Sequence, residues 1–339
     1  MSDFEEGMAV GLAIGRKKFS GGNGGDTPSE EKWTYPADWL PLPEIGENEV
    51  AALIFVRSDI IARVGFYNIT PDSVDWGDPN SSEETAASHT YEFERGVPFS
   101  DNTSMFVMKA HFQPGTFSGI DPGNGFITAC AVDGSAIDPT IASISVVNNQ
   151  RSYLQYLKIT GDMTNFGERQ NFIYAMDSLK RVDFENSPSK LASHTFQACR
   201  SLNSINMPDL SAVESAADYC FYSCASLDEI NMPALRTVGN YFCCNCYTLE
   251  KISLPSLETA GNNFLSNCFT ISSSYLPALQ SIGQNGLYYC YGLESADLSS
   301  LTTITNNDIG SYCCSLRRLS MPNIDITQSG IFPQSYMIK

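Results

Sequence analysis

Cys224-Ala-Ser-Leu227-Asp-Glu-Ile230-Asn-Met232-Pro233-Ala-Leu235 is followed by Cys246-Tyr-Thr-Leu249-Glu-Lys-Ile252-Ser-Leu254-Pro255-Ser-Leu257. It is preceded by Cys199-Arg-Ser-Leu202-Asn-Ser-Ile205-Asn-Met207-Pro208-Asp-Leu210. Worn copies start at Cys268, Cys290 and Cys313, so the cysteines step by 25, 22, 22, 22 and 23 residues. A fixed period in this range, carrying Leu-x-x-Ile-x-Leu, marks short coils that cannot bury their apolar face alone and so stack. Leu154, Leu179, Leu202, Leu227, Leu249, Ile271, Leu293 and Leu316 hold one phase and give eight turns. Three or more suffice for a self-supporting stack. The expected fold class is mainly β, a solenoid whose outer turns must be covered.

Eleven cysteines raise the question of disulfides or zinc. Six of them, Cys199, Cys224, Cys246, Cys268, Cys290 and Cys313, hold one repeat position, and Met176 fills that slot one turn earlier. Methionine can replace a packing residue but not a thiolate ligand. Cys130, Cys220, Cys243, Cys244 and Cys314 complete the set without C-x-x-C spacing or histidine partners. The reading is buried free thiols, with no metal and no cofactor.

Strand alternation sends the residues flanking the central Ile of each Leu-x-x-Ile-x-Leu outward. Down the stack these pairs are Tyr156/Lys158, Arg181/Asp183, Ser204/Asn206, Glu229/Asn231, Lys251/Ser253, Ser273/Tyr275, Ser295/Asp297 and Arg318/Ser320. This ribbon of hydroxyls, amides, mixed charges and two tyrosines suits a glycan or a polar protein surface, not an apolar ligand.

The rest of the chain is bounded by charge and texture. Thirty-eight acidic against 20 basic side chains give a net charge of −18, which opposes nucleic acid and anionic lipid as partners. No apolar run reaches the roughly 18 residues of a membrane span, so membrane insertion is not expected. Met1-Ser-Asp-Phe-Glu-Glu-Gly is acidic where a secretory leader is basic, and the basic Arg16-Lys17-Lys18 follows the apolar run Met8 to Ile14. A chain made in the cytoplasm without a signal peptide is therefore expected. Residues 1–32 read as an anchoring segment with the flexible linker Ser20-Gly-Gly-Asn-Gly-Gly25, 33–149 as a β-sandwich and 150–339 as the solenoid. The sandwich strands are expected at Val50 to Val56, Arg63 to Ile69, Ser88 to Phe93 and Met105 to Phe112.

Two resemblances sharpen this outline. Ser73-Val-Asp-Trp-Gly-Asp78 followed by His89-Thr-Tyr91 resembles the V-D-W-G-D-G...H-x-Y signature of PKD-like domains, with Pro79 where glycine is usual. It implies an immunoglobulin-like spacer, with Trp76 packed inward from a strand end. The repeats resemble BspA-like (Treponema pallidum type) leucine-rich repeats, in which Cys or Asn precedes L-x-x-I-x-L-P; Leu254-Pro255, Leu276-Pro277 and Ala217-Asp-Tyr-Cys-Phe221 carry the likeness over about residues 150 to 325. Departures are Ser274 at an Ile position and Ser299 at the Pro position.

Chemistry finds few parts. Three histidines, His89, His111 and His194, lie far apart, no G-x-S-x-G occurs, and the glycine run has no phosphate-loop lysine. Asp72, Asp75 and Asp78 could gather oxygen ligands for calcium or serve as a carboxylate pair, but turn-forming aspartates are the default. The expected function is non-enzymatic recognition of a cell-surface glycan or protein receptor by the solenoid. The N-terminal segment would join other virion or surface-assembly proteins, and its linker is compatible with a homo-oligomer. Anchor, linker, spacer and solenoid look like a phage or prophage tail, baseplate or fibre component, placing the chain in a virion; the alternative is a bacterial or protist cell-surface adhesin.

Overall fold

The computed structural model describes residues 33–67, 69–79, 85–138, 140, 145–146, 153–161, 170–205, 210–305, 308–325 and 331–332. The anchoring segment, Asn206 and residues 333–339 lie outside them. Among the described residues regular structure is almost wholly β, the exceptions being two single 3-10 turns, Phe93–Arg95 and Gly134–Ala136. No helix there is long and apolar enough to cross a membrane.

Val-Ala-Ala-Leu-Ile-Phe-Val is an unbroken apolar run with no alternation, the pattern of a strand buried on both faces. It forms the strand Glu49–Arg57, flanked antiparallel by Thr103–His111 and Phe126–Asp133. One face carries Val50, Ile54 and Val56 into the main core, and the other carries Leu53 and Phe55 beneath Tyr35, Trp39, Leu40 and Leu42. A second sheet, Ser88–Tyr91, Ala62–Phe66, Gly119–Asp121 and Ser145–Val146, shares that core: the Phe66 ring lies 5.5 Å from Trp76 and 5.1 Å from Phe112.

The Val-Asp-Trp-Gly-Asp run explains itself locally. Strand Ser73–Asp75 ends as the Asp75 carboxylate accepts the Gly77 N–H at 2.8 Å, and Gly77 adopts φ +68°, where a Cβ would strike the Val107 carbonyl oxygen. Trp76 is fully buried, as the sequence implies; its ring stacks on His89 at 5.4 Å and its carbonyl accepts the Tyr91 hydroxyl at 2.9 Å. The Asp78 carboxylate, fully buried, is matched by His89 at 3.2 Å and Arg95 at 3.5 Å.

The strand Phe126–Asp133 has a second neighbour. Tyr156–Thr160, the first solenoid strand, pairs with it in parallel, Tyr156 opposite Ala129 and Thr160 opposite Asp133. The antiparallel sheet thus continues through Arg181–Phe184 to Ser204–Ile205 without an edge between the two regions. Further on, Glu229–Asn231, Lys251–Ser253, Ser273–Tyr275, Ser295–Asp297 and Arg318–Ser320 form a five-stranded parallel sheet. These eight strands occupy the eight expected turns, and every repeat leucine, with Ile271, is at most 1% exposed. At roughly 1.5–3 kcal/mol per buried aliphatic side chain, this column is the main term holding the coils together.

A second side of six successive coils is a two-residue parallel strand, from Lys190–Leu191 through Ser215–Ala216 and Thr237–Val238 to Thr303–Ile304. The third side is a run of turns leading to the cysteine. Its backbone also bonds from coil to coil, Tyr219 N–H to the Asn240 carbonyl and Tyr241 N–H to the Asn262 carbonyl, both at 2.8 Å. Ile331 closes the far end: its carbonyl accepts the N–H groups of Ile309 and Gly310, and its side chain is buried.

The six ladder thiols are fully buried and free. Each donates to a carbonyl three residues before the matching slot of the preceding coil: Cys199 to Ile173 (2.9 Å), Cys224 to Phe196 (3.1 Å), Cys246 to Phe221 (3.1 Å), Cys268 to Cys243 (3.2 Å), Cys290 to Leu265 (3.2 Å) and Cys313 to Leu287 (3.1 Å). Burial pushes Cys224, Cys268 and Cys290 well above the ordinary thiol range and Cys313 up to about 12. These thiols stay protonated, since only the S–H form can donate. Of the eleven, Cys314 alone is exposed.

Ser274 occupies its Ile position as a buried residue whose hydroxyl has no hydrogen-bond partner, and its register neighbour is Ala296, also small and buried. Here Ala296 is a departure beyond the two the repeat frame marks.

Two outcomes follow from this core. A thiol reagent should titrate one fast thiol in the native chain and eleven in denaturant, with the fast one abolished by Cys314→Ser. Ser274→Ala, which removes a buried unpaired hydroxyl, should raise the free energy of unfolding by about 1 kcal/mol in a urea titration.

Candidate functional site

The ribbon is built by strand alternation and held in register by parallel pairing. Tyr156 stands beside Arg181 and Lys158 beside Asp183 in the first sheet. In the second, Glu229 stands beside Lys251, Asn231 beside Ser253, Ser253 beside Tyr275, Tyr275 beside Asp297, and Ser295 beside Arg318. Adjacent strands lie about 4.8 Å apart, so these side chains form two columns of close neighbours.

The two ends of the ribbon differ. At the first, the Tyr156 hydroxyl donates to Asp183 at 2.9 Å and the Arg181 guanidinium to the other Asp183 oxygen at 2.8 Å. Trp33 stacks on the Tyr156 ring at 5.8 Å, and Tyr35 meets it edge-on at 5.4 Å. Burial, then the Asp183 charge, raises the Tyr156 phenol far above its usual range, so it remains a neutral donor. Tyr156, Arg181 and Asp183 are thus half-buried members of a closed network under residues 33–42.

Toward the C-terminal end nothing covers the ribbon among the described residues. Tyr275 is 60% exposed, and Asn231, Lys251 and Arg318 are exposed while Glu229 and Asp297 are half-buried. Tyr275, Asp297, Arg318 and the serines at 273, 295 and 320 border one open depression of about 470 Å³. It offers an aromatic face, one carboxylate, the two arginines Arg317 and Arg318, and several hydroxyls. Of the residues the alternation selects, these are brought together; Tyr156, Arg181 and Asp183 are set apart.

The candidate carboxylates go separate ways. Asp75 caps Gly77, Asp78 is held by His89 and Arg95, and Asp72 accepts from Gln113 at 2.7 Å and contacts His111 at 3.2 Å. Among the described residues no group of three or more His, Cys, Asp or Glu is placed to hold a metal ion. His194 sits at a left-handed turn, stacked on Tyr219 at 5.0 Å.

The turn side carries features that strand alternation does not reach. Its segments read Asp218-Tyr-Cys-Phe-Tyr-Ser223, Asn240-Tyr-Phe-Cys-Cys-Asn245, Asn262-Asn-Phe-Leu-Ser-Asn267 and Gln284-Asn-Gly-Leu-Tyr-Tyr289. Tyrosine and asparagine recur there ahead of each cysteine, the signal that could have marked this side.

A family model described as a BspA type leucine-rich repeat region, in six copies, matches residues 143–271 and 214–339, more than half of the chain. The chain belongs to the BspA-type leucine-rich repeat family. The match spans the coils that carry the ribbon and the turn side. Among solved structures it is similar to a leucine-rich repeat protein of T. pallidum (18% identity, 56% of this chain and 83% of that one, TM-score 0.39). It is also similar to a leucine-rich cell surface protein of Faecalibacterium prausnitzii (18% identity, 58% and 72%, TM-score 0.33). No curated protein matches.

The two ribbon tyrosines should separate by experiment. Tyr156→Ala, which removes a half-buried ring from the joint between the regions, should lower the unfolding free energy by about 2 kcal/mol. Tyr275→Ala should leave it within about 0.5 kcal/mol, as for an ordinary surface site. Urea titrations of the two variants measure both.

Proposed function

We propose that the chain is a non-enzymatic binding protein whose solenoid ribbon recognises a cell-surface glycan or protein, held out from a phage or prophage tail assembly by its N-terminal region. The observation that carries the binding role is the open depression around Tyr275, Asp297 and Arg318, where polar groups of both signs flank an exposed ring on rigid strands. Recognition surfaces favour this mixture, since aromatic and arginine side chains supply contact area at low entropic cost. A PKD-like spacer over residues 33–149, followed by the solenoid, suits delivery of that surface to a partner. The unbroken sheet from Glu49–Arg57 to Ser204–Ile205 supports this, because a stiff joint transmits the orientation set at one end. The glycine-rich stretch Ser20 to Gly25 suits a tether to other particle proteins, and through them to a homo-oligomer.

A cell-surface adhesin of a host-associated microbe would use the same ribbon, and the family match, which spans the solenoid, bears on both readings alike. Immunogold labelling of the source strain separates them. Label on released particles supports the tail component; label on the cell envelope with none on particles replaces it with the adhesin. The binding role itself is tested by adhesion of the full chain to target cells: Tyr275→Ala with Arg318→Ala should weaken it about tenfold or more without loss of stability. Unaltered adhesion by that double variant would remove the ribbon from the reading.

A further inference from the structure

Six coils of the solenoid each carry two non-glycine residues in the left-handed backbone region on the turn side, four positions apart, and the next carries one. The first series reads Asn171, His194, Tyr219, Tyr241, Asn263 and Asn285, and the second Ala175, Ala198, Ser223, Asn245, Asn267, Tyr289 and Tyr312, all with φ between 54° and 65°. Asparagine tolerates this conformation well, whereas a bulky aromatic is an outlier there. The fold therefore works with asparagine at both positions, as it does in neighbouring coils. Tyrosine at 241 (φ 57°) and 289 (φ 58°) is strain that the backbone does not require.

Outside the core each ring stacks on the tyrosine of one neighbouring coil, Tyr241 on Tyr219 at 4.7 Å and Tyr289 on Tyr312 at 4.6 Å, but the core does not require them. Phe242 and Leu287 fill the core of these coils, and Tyr241 and Tyr289 are only half-buried. The two rings also wall a cleft of about 390 Å³, a volume typical of small-ligand sites, roughly 300–1,000 Å³. Tyr222 stands with Tyr241 at one end, the ring centroids 6.2 Å apart, and Tyr288 with Tyr289 at the other, 4.2 Å apart.

Between the walls run the amides. Asn267 donates to the Asn245 side-chain oxygen at 2.7 Å, and Asn245 to the Ser223 hydroxyl at 3.4 Å. The ladder stops at Asn267, because the next coil carries Tyr289 in that place. A primary amide has two N–H groups and two acceptor lone pairs, so one N–H and both lone pairs at Asn267 remain beyond its bond in the ladder.

Charge is what the lining lacks. In a chain of net charge −18 the cleft is bordered by tyrosine, asparagine, serine and Cys244 alone. Burial, and at Tyr288 the bond to Tyr289, raises the Tyr222 and Tyr288 phenols, which keeps their hydroxyls protonated. A charged ligand would find no counter-charge here, and a purely apolar one would strand the amides. A pyranose satisfies both: its C–H face lies on an aromatic ring while its hydroxyls exchange hydrogen bonds with amides and phenols. Successive coils lie about 4.8 Å apart, close to the step between sugars in an extended chain.

We propose that the turn-side cleft between Tyr241 and Tyr289 is a second binding site, separate from the strand ribbon, that takes a neutral oligosaccharide with its sugars stacked on the two aromatic walls and hydrogen-bonded to Asn245 and Asn267.

The test uses the full chain on a printed array of neutral oligosaccharides ending in galactose, N-acetylglucosamine, mannose or fucose, beside sialylated and sulfated ones. Binding to a neutral subset is expected. Tyr241→Asn and Tyr289→Asn, which install the residue carried at 263 by the following coil and at 267 by the preceding one, should each weaken that binding about tenfold or more while the thermal midpoint stays level or rises. That pairing separates the site from a fold requirement, which would lower the midpoint as binding falls. The proposal is overturned if no neutral glycan binds, if sialylated or sulfated glycans are preferred, or if both asparagine variants bind as the parent does. Loss of neutral-glycan binding in Tyr275→Ala but not in the asparagine variants would put the sugar on the ribbon and overturn it too, leaving the ribbon reading intact.

Discussion

The stack rests on its buried leucine column, and one polar contact repeats beside it: six cysteine S–H groups each donate to a carbonyl of the coil before. A coil of some 22 residues turns three times, and each turn frees carbonyls that strand pairing does not reach. The carbonyls of Phe196, Phe221, Cys243, Leu265 and Leu287 already accept the N–H of their own coil's cysteine, and the thiol of the next coil fills the second lone pair. Cysteine is small enough for the slot, apolar enough for the core and still a donor, a combination alanine and valine lack. Met176, which has no S–H, holds the slot in the coil where the stack begins. Because the thiol reaches backward, every coil is fixed by its successor, and the register of ribbon, short strands and turns is inherited together along the chain.

The start of the stack is fixed differently. A parallel solenoid has an apolar first coil and an open strand edge, and here both are covered by one device. Phe126–Asp133 belongs to an antiparallel sheet on one side and pairs in parallel with Tyr156–Thr160 on the other. That answers the edge problem without a dedicated cap, since an edge already paired cannot recruit another chain. The consequence at the surface is that residues 33–42, which cover the outer face of Leu53 and Phe55, also reach Tyr156. The ribbon therefore begins inside the joint, and only its later coils stand free to meet a partner.

How much of this was legible in the sequence follows from what each feature rests on. Periodic features were: the eight leucine positions, the cysteine slot and outward strand residues such as Tyr275 are read from spacing, because stacking turns sequence distance into spatial alignment. The Trp76 environment was legible as a short motif, its turn geometry being fixed by Asp75 and Gly77 within three residues. The covering of Tyr156 was not, since it depends on Trp33 and Tyr35 packing more than a hundred residues away in sequence. Nor was the turn side: alternation says nothing where the backbone leaves the strand, and a left-handed tyrosine has no signature apart from its dihedral angle. The thiol donor role is a matter of which carbonyl faces the slot, which spacing alone does not give.

A solenoid repeats itself, and a surface that repeats without variation offers a partner no unique place to stop. Recognition must then sit where the repeat is broken without harm to the stack. The breaks here are few and they cluster. On the ribbon, Tyr275 replaces the short polar residues of its column, and beneath it Ser274 and Ala296 replace the large residues of theirs. On the turn side the first series changes from tyrosine to asparagine after Tyr241, and the second from asparagine to tyrosine at Tyr289. Each change gives up something the neighbouring coils retain: core volume at Ser274 and Ala296, backbone ease at the tyrosines. Stability alone would have kept the repeat regular in all four places, so the irregular coils from Tyr241 to Arg318 are where this chain departs from a bare scaffold.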